Sequence, residues 1–258
     1  LKQSRLEELN KLSKDLKKDW IFNKFDLEDM DLINNLFETY KPDVVIHLAA
    51  QAGVRYSLEN PNAYITSNLV GFSYILECCR KFPVKNLIYA SSSSVYGGNT
   101  KTPFAEQDPV NHPVSLYAAT KRANELMAHS YSHLYSIPAT GLRFFTVYGP
   151  WGRPDMAPMI FTKAILSNTP IDIYNNGEMS RDFTYIDDVI ESIIRLINKP
   201  AKEDLNFDKF SPNPSTSWAS HQILNIGNSN SINLMDFIKV LESALGVKAK
   251  KNFKPMQP

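Results

Sequence analysis

The feature that most constrains this chain is a regular alternation of short apolar runs with amphipathic stretches. Val44-Val45-Ile46-His47-Leu48-Ala49 is a near-continuous apolar run, the pattern of a strand covered on both faces of a parallel sheet. Asn86-Leu87-Ile88-Tyr89-Ala90 and Ala139 to Phe145 read the same way, and Trp20 to Phe25 reads as a shorter strand. Between these runs the apolar period changes to that of a helix. Leu6, Leu9, Leu12 and Leu16 recur at three- and four-residue steps, as do Leu32, Ile33, Leu36 and Phe37 before Pro42. Pro61 to Phe82 and Ser115 to Tyr135 are longer helices. Strand and helix alternating at this spacing predict an α/β fold with a doubly wound parallel sheet.

From about Trp151 the pattern loosens into prolines, short strands and shorter helices, as expected of a smaller lobe interleaved with the first. Lys199 to Ser220, rich in Pro, Asn and Ser, should be a surface loop.

Bulk properties exclude several classes. The net charge of +1 over 258 residues predicts no polyanion partner, and Lys248, Lys250, Lys251 and Lys254 read as a solvated face. Cys78 and Cys79 are neighbours that point in different directions on a helix. They make neither an easy disulfide nor a metal spacing, which fits a reducing cytoplasm. The chain has no 18-residue apolar stretch, and the mixed charges of Leu1 to Lys18 are unlike a signal peptide. The five histidines form no metal set or triad, so no metal is expected.

The chemistry begins with Tyr117-Ala118-Ala119-Thr120-Lys121, where a four-residue step puts both side chains on one helix face. A tyrosine is a poor base at neutral pH, and a nearby ammonium lowers its pKa by favouring the phenolate. Taken alone, the spacing also fits an exposed helical pair. Ser91-Ser92-Ser93-Ser94-Val95-Tyr96-Gly97 follows directly on a strand, and ligands of open α/β sheets bind beyond such carboxyl ends. A serine there can hydrogen-bond a reacting oxygen, whereas a polar turn suffices to explain three of the four. His47-Leu48-Ala49-Ala50-Gln51-Ala52-Gly53 and Arg143-Phe144-Phe145-Thr146-Val147-Tyr148-Gly149-Pro150 lie at two more strand ends.

Together these motifs resemble the extended short-chain dehydrogenase/reductase superfamily, in its nucleotide-sugar epimerase and dehydratase branch, from about Phe25 onward. Ala52-Gly53-Val54-Arg55-Tyr56-Ser57, Ser115 to Lys121 and Tyr148-Gly149-Pro150-Trp151-Gly152-Arg153-Pro154-Asp155-Met156 are similar to UDP-glucuronate 4-epimerases.

The resemblance implies a Rossmann-type NAD-binding domain over residues 1–150 and a substrate lobe over 151–258. It implies Tyr117 as catalytic base, Lys121 as its tuner and ribose ligand, and Ser92 as the active-site hydroxyl. For NAD it implies Asp26 and Leu27 at the adenine, Ala49, Ala50 and Gln51 along the dinucleotide, Asn68 nearby, and Phe145 and Val147 at the nicotinamide. For a UDP-sugar it implies Thr146, Ser93, Ser94 and Arg153 at the sugar, Ile173 and Tyr174 at the uracil, and Arg181 at the diphosphate, where its fork suits phosphate oxygens. The blander alternatives are an Arg181 ion pair with Asp182 or Asp187, core packing for Tyr174, and loop anchoring for Arg153. A homodimer through helices 61–82 and 115–135 is also implied. The expected activity is UDP-glucuronate 4-epimerisation through a 4-keto sugar. The alternatives are decarboxylation, epimerisation of a neutral UDP-sugar, and NAD or UDP-sugar binding without turnover. Dehydratases carry an Asp-Glu pair where Ser93 and Ser94 stand, which argues against dehydration.

The sequence departs from the family in one respect. No Gly-x-x-Gly-x-x-Gly turn, which receives the pyrophosphate on a helix N-terminus, occurs within residues 1–258. The family's first strand, first helix and second strand are therefore expected outside these residues, as is part of its last substrate-binding segment. The sequence is then either part of a longer working enzyme or an inactive truncation. Within it, Trp20 to Phe25 should find no strand to pair with and Val44 to Ala49 should present a bare edge.

Overall fold

A computed structural model of the chain describes residues 2–256. The elements run α1 (Lys2–Leu16), α2 (Met30–Tyr40), β1 (Val44–His47), α3 (Tyr56–Glu59), α4 (Pro61–Tyr64), α5 (Gly71–Lys81) and β2 (Asn86–Ser92). They continue through α6 (Leu116–Tyr135), β3 (Ala139–Phe144), β4 (Thr146–Tyr148), α7 (Ala157–Leu166), β5 (Ile171–Ile173), β6 (Ser180–Tyr185) and α8 (Ile186–Ile197). The last are β7 (His221–Ile226), β8 (Ser231–Asn233), α9 (Leu234–Leu245) and β9 (Lys251–Phe253). They divide into two compact units. One holds Phe25–Phe145 and Asp187–Ser229; the other holds Leu1–Lys24, Thr146–Ile186 and Asn230–Pro258.

The first unit is built on a parallel sheet in the order β1-β2-β3-β7. Its register pairs Val44 with Asn86, Leu87 with Ala139 and Ala139 with His221. All four carboxyl ends therefore emerge on one side. Leu87, Ile88, Tyr89 and Leu142 are fully buried, which explains why these strands read as unbroken apolar runs. Ile33 and Phe37 of α2 and Phe72 and Leu76 of α5 pack in one core with Leu87 and Tyr89. Each such side chain contributes about 2 kcal/mol by leaving water.

Two expectations are corrected. Trp20 to Phe25 forms no strand. A strand exists by its ladder, and the open edge of β1 has no partner among the described residues. The helix expected over Pro61 to Phe82 is not uniform. Asn60 caps its start by accepting from the Ala63 amide at 3.3 Å, and Pro61 occupies the first turn, where a missing N–H costs nothing. A π-helical segment then spans Ile65–Val70 before α5. Such segments insert one extra residue and often occur where a helix carries a functional group. Gly71 follows because a Cβ there would lie 2.6 Å from the Leu27 Cβ.

In the other unit, β4 pairs with β6 in parallel, β6 with β8 antiparallel, and β5 with β9 in parallel. Its core is Phe161, Ile165, Ile171, Ile173 and Ile238. Residues 199–220 contain no helix or strand, as their composition predicts.

Candidate functional site

The helix α6 starts where Ser115 accepts from the Ala118 amide at 3.1 Å. Tyr117 and Lys121 follow in its first two turns. Lys121 is 2% exposed and its Nζ donates to the Ala90 carbonyl of β2 at 2.9 Å. Burial lowers its pKa from 10.5 to about 8. An ammonium has three N–H donors, and the Ala90 carbonyl takes one. The Tyr117 ring is half-buried and meets the Tyr64 ring edge-on, with centroids 6.1 Å apart.

The segment after β1 is held against this helix by one side chain. Asn68, in the π-helical segment, accepts from the Gln51 amide at 2.8 Å. Its Nδ2 donates to the Gln51 carbonyl at 3.1 Å and to the Thr120 hydroxyl at 3.0 Å. Thr120 in turn donates to the Tyr117 carbonyl at 2.8 Å, and Asn124 donates to the Asn68 carbonyl at 2.7 Å. The Tyr64 hydroxyl donates to the carbonyls of Ala52 and Gly53. Gln51 and Asn68, both assigned to the cofactor by resemblance, are thus tied directly to the Tyr117 turn.

At the end of β2 the serines divide their work. Ser92 is buried; its Oγ accepts from the Ser94 amide at 3.2 Å and donates to Ser94 Oγ at 3.1 Å, capping a short turn over Ser93–Tyr96. Gly97 ends that turn at φ 51, where a Cβ would lie 2.1 Å from the His112 carbonyl oxygen. Ser91 points inward and donates to Glu125 Oε1 at 2.6 Å. Glu125, on α6, also receives Arg143 Nε at 2.9 Å, Arg143 Nη2 at 3.0 Å and Arg122 Nη1 at 2.9 Å. Burial alone would raise the Glu125 carboxyl; hydrogen bonds and charge from Arg143 outweigh it and hold the group below its usual value. Arg143 continues to the Tyr96 hydroxyl at 3.0 Å, which donates to Asn225 on β7 at 2.6 Å.

The remaining residues of the expected set fall as follows. Phe145 packs against Val95, Tyr96 and Val110, and its amide donates to the Ile226 carbonyl at 3.2 Å. Leu27 packs under Gly71; Asp26 is exposed and its carbonyl closes a turn with the Asp29 amide. Ala49 and Ala50 extend beyond β1. In the other unit, Thr146 and Val147 lie on β4 opposite Phe183 and Thr184. Arg153 is paired with Asp155 at 2.7 Å. Ile173 is fully buried in the core, and Tyr174 stacks under the Lys254 ammonium at 5.8 Å. Arg181, exposed on β6, donates to the Ser180 carbonyl at 3.1 Å and makes no ion pair among the described residues, so the pairing with Asp182 or Asp187 is absent.

Sequence reasoning missed Tyr64, Ser91, Glu125 and the interior role of Arg143. Two signals were present. Glu125 continues the four-residue step of Tyr117 and Lys121, and Arg143 is a charge inside an apolar strand.

A family model described as the NAD dependent epimerase/dehydratase family matches residues 2–207. The chain belongs to that family. It is 55% identical over 258 residues to Protein CapI of Staphylococcus aureus, covering all of this chain and 75% of that protein. It is 52% identical over 235 residues to a probable UDP-glucuronate 4-epimerase of Rhizobium meliloti, covering 90% of this chain and 68% of that one. Its fold matches a crystal structure of a UDP-glucuronic acid 4-epimerase from Bacillus cereus, in complex with UDP-glucuronic acid and NAD, with a TM-score of 0.79. That match has 33% identity and covers 95% of this chain and 73% of the other.

NAD is the cofactor of this epimerase/dehydratase family, and the residues present fit its nicotinamide ribose. The buried Lys121 ammonium keeps two N–H donors beyond the Ala90 bond, matched to vicinal hydroxyls. The small residues Ala49 and Ala50 at a strand end allow close approach of a dinucleotide.

Proposed function

We propose that this epimerase interconverts UDP-glucuronate and UDP-galacturonate. The observation that carries the reading is the buried Lys121 ammonium at the carboxyl end of β2, one helical turn from Tyr117. Its positive charge favours the Tyr117 phenolate, which makes Tyr117 the base for the sugar 4-hydroxyl. Ser92, at the same strand end, hydrogen-bonds the same oxygen. NAD, when bound, supplies a hydride acceptor for C4 and a hydride donor for the opposite face of the resulting 4-keto sugar. Tyr117 then returns the proton. No net redox change occurs, so a tightly held cofactor suffices.

A uronic acid oxidised at C4 is a β-keto acid that can lose carbon dioxide. Fixing its carboxylate away from the geometry that breaks that bond suppresses the loss. Ser93 and Ser94, at the end of β2, are assigned to that end of the sugar. Arg181 is assigned to the diphosphate; its lack of an ion pair among the described residues supports this. Ile173 and Tyr174 are assigned to the uracil. The working form in this reading is a cytoplasmic homodimer through 61–82 and 115–135, and α6 leaves Leu126 and Leu134 exposed for such a contact.

The test is product analysis after incubating the complete, NAD-loaded protein with UDP-glucuronate. UDP-galacturonate supports the reading. Released carbon dioxide would instead make it a decarboxylase, and bound NAD without turnover a binding protein.

A further inference from the structure

The Glu125 carboxylate joins the three elements that carry the proposed chemistry. It lies on α6 two turns beyond Tyr117 and one turn beyond Lys121. It accepts from Ser91, the residue next to Ser92 at the end of β2. It takes two hydrogen bonds from Arg143, which stands on β3 just before Phe144 and Phe145. Glu125 is 1% exposed and Arg143 is fully buried. Two buried charges are a poor way to gain stability, because desolvation offsets much of their attraction. What such a pair supplies is geometry. The fork of Arg143 fixes the plane of the carboxylate, and the carboxylate fixes the Ser91 hydroxyl. Neither residue belongs to the assigned catalytic set.

We propose that Glu125 is a positioning residue, clamping the Ser91 end of β2 and Arg143 of β3 to α6 and so setting the placement of Ser92 relative to Tyr117 and Lys121. The clamp acts through the backbone of residues 91 and 92. It therefore governs turnover rather than affinity for the nucleotide sugar, and it rests on the reading of Ser92 given above. Ser91→Ala removes one hydrogen bond and leaves the ion pair intact. Glu125→Gln keeps the shape and removes the charge.

The experiment is a double-mutant cycle on the complete, NAD-loaded protein. UDP-glucuronate epimerisation is measured for wild type, S91A, E125Q, S92A, S91A/S92A and E125Q/S92A. Thermal unfolding and the amount of NAD retained are measured beside it. In the Ser92 background, S91A and E125Q each lower kcat by about tenfold with KM changed less than about twofold. In the S92A background each lowers kcat by less than about twofold, because the residue they position is gone. NAD retention stays at the wild-type level. If their losses persist undiminished in S92A, the clamp is structural support only and the proposal is overturned while Ser92 keeps its role. If S92A alone turns over normally, the reading of Ser92 fails, and the proposal with it. Should E125Q not fold, S91A decides the outcome alone.

Discussion

Lys121→Met should make the protein more stable while destroying its activity. Burial lowers the Lys121 pKa from 10.5 to about 8. That gap corresponds to roughly 3 kcal/mol against the charged form in the folded state. The sign follows from proton counting. Between about pH 8 and 10.5 the unfolded chain binds the lysine proton and the folded chain does not, so stability rises with pH across that window. Below about pH 8 the folded state carries the full cost. Methionine has similar length and no charge, and it removes the cost. It also leaves the Ala90 carbonyl without its 2.9 Å donor, a loss of about 1–2 kcal/mol. The net expectation at pH 7 is a gain of about 1–2 kcal/mol, a trade of stability against function common at active sites. The assay is urea unfolding of the NAD-stripped complete protein at pH 7 and at pH 10. Lys121→Met should unfold later than wild type at pH 7, and the difference should shrink at pH 10. A variant less stable than wild type at pH 7, or a difference indifferent to pH, would refute the claim that Lys121 is held charged at a cost.

Other perturbations separate the roles of neighbouring groups. Tyr117→Phe keeps the ring contact with Tyr64 and removes the base, so kcat should fall by at least about a hundredfold with melting nearly unchanged; near-normal turnover would end its assignment. Asn68→Ala deletes three hydrogen bonds of a buried amide. It should destabilise by about 3 kcal/mol in urea titration, with a shift under about 1 kcal/mol counting against the network. Burial and the Lys121 charge lower the His47 pKa from 6.5 to about 4. The protein should therefore lose stability as pH falls across that range, and His47→Leu should flatten the slope by about one proton, read from unfolding free energies at pH 4 to 7.

The parallel sheet was legible because strands covered on both faces must be apolar throughout, as Leu87, Ile88 and Leu142 are. Trp20 to Phe25 was misread for a reason in the same physics. Composition marks a segment that can be a strand, and a partner makes it one. The π-helical segment at Ile65–Val70 was invisible because one extra residue barely disturbs helical periodicity over twenty positions. The Tyr117 and Lys121 face followed from spacing alone. Glu125 extends that face by the same step, yet its meaning depends on Arg143 and Ser91, which reach it from two other elements. Spacing names residues that share a face, and the fold decides which of them meet.

The most direct measurement of the central claim uses UDP-glucuronate carrying deuterium at C4, incubated with the complete NAD-loaded protein and followed by mass spectrometry and proton NMR. The account predicts UDP-galacturonate that retains the deuterium at C4, because the hydride leaves and returns within one active site. Product that has lost the label to solvent, or no product at all from protein that holds NAD, would contradict it.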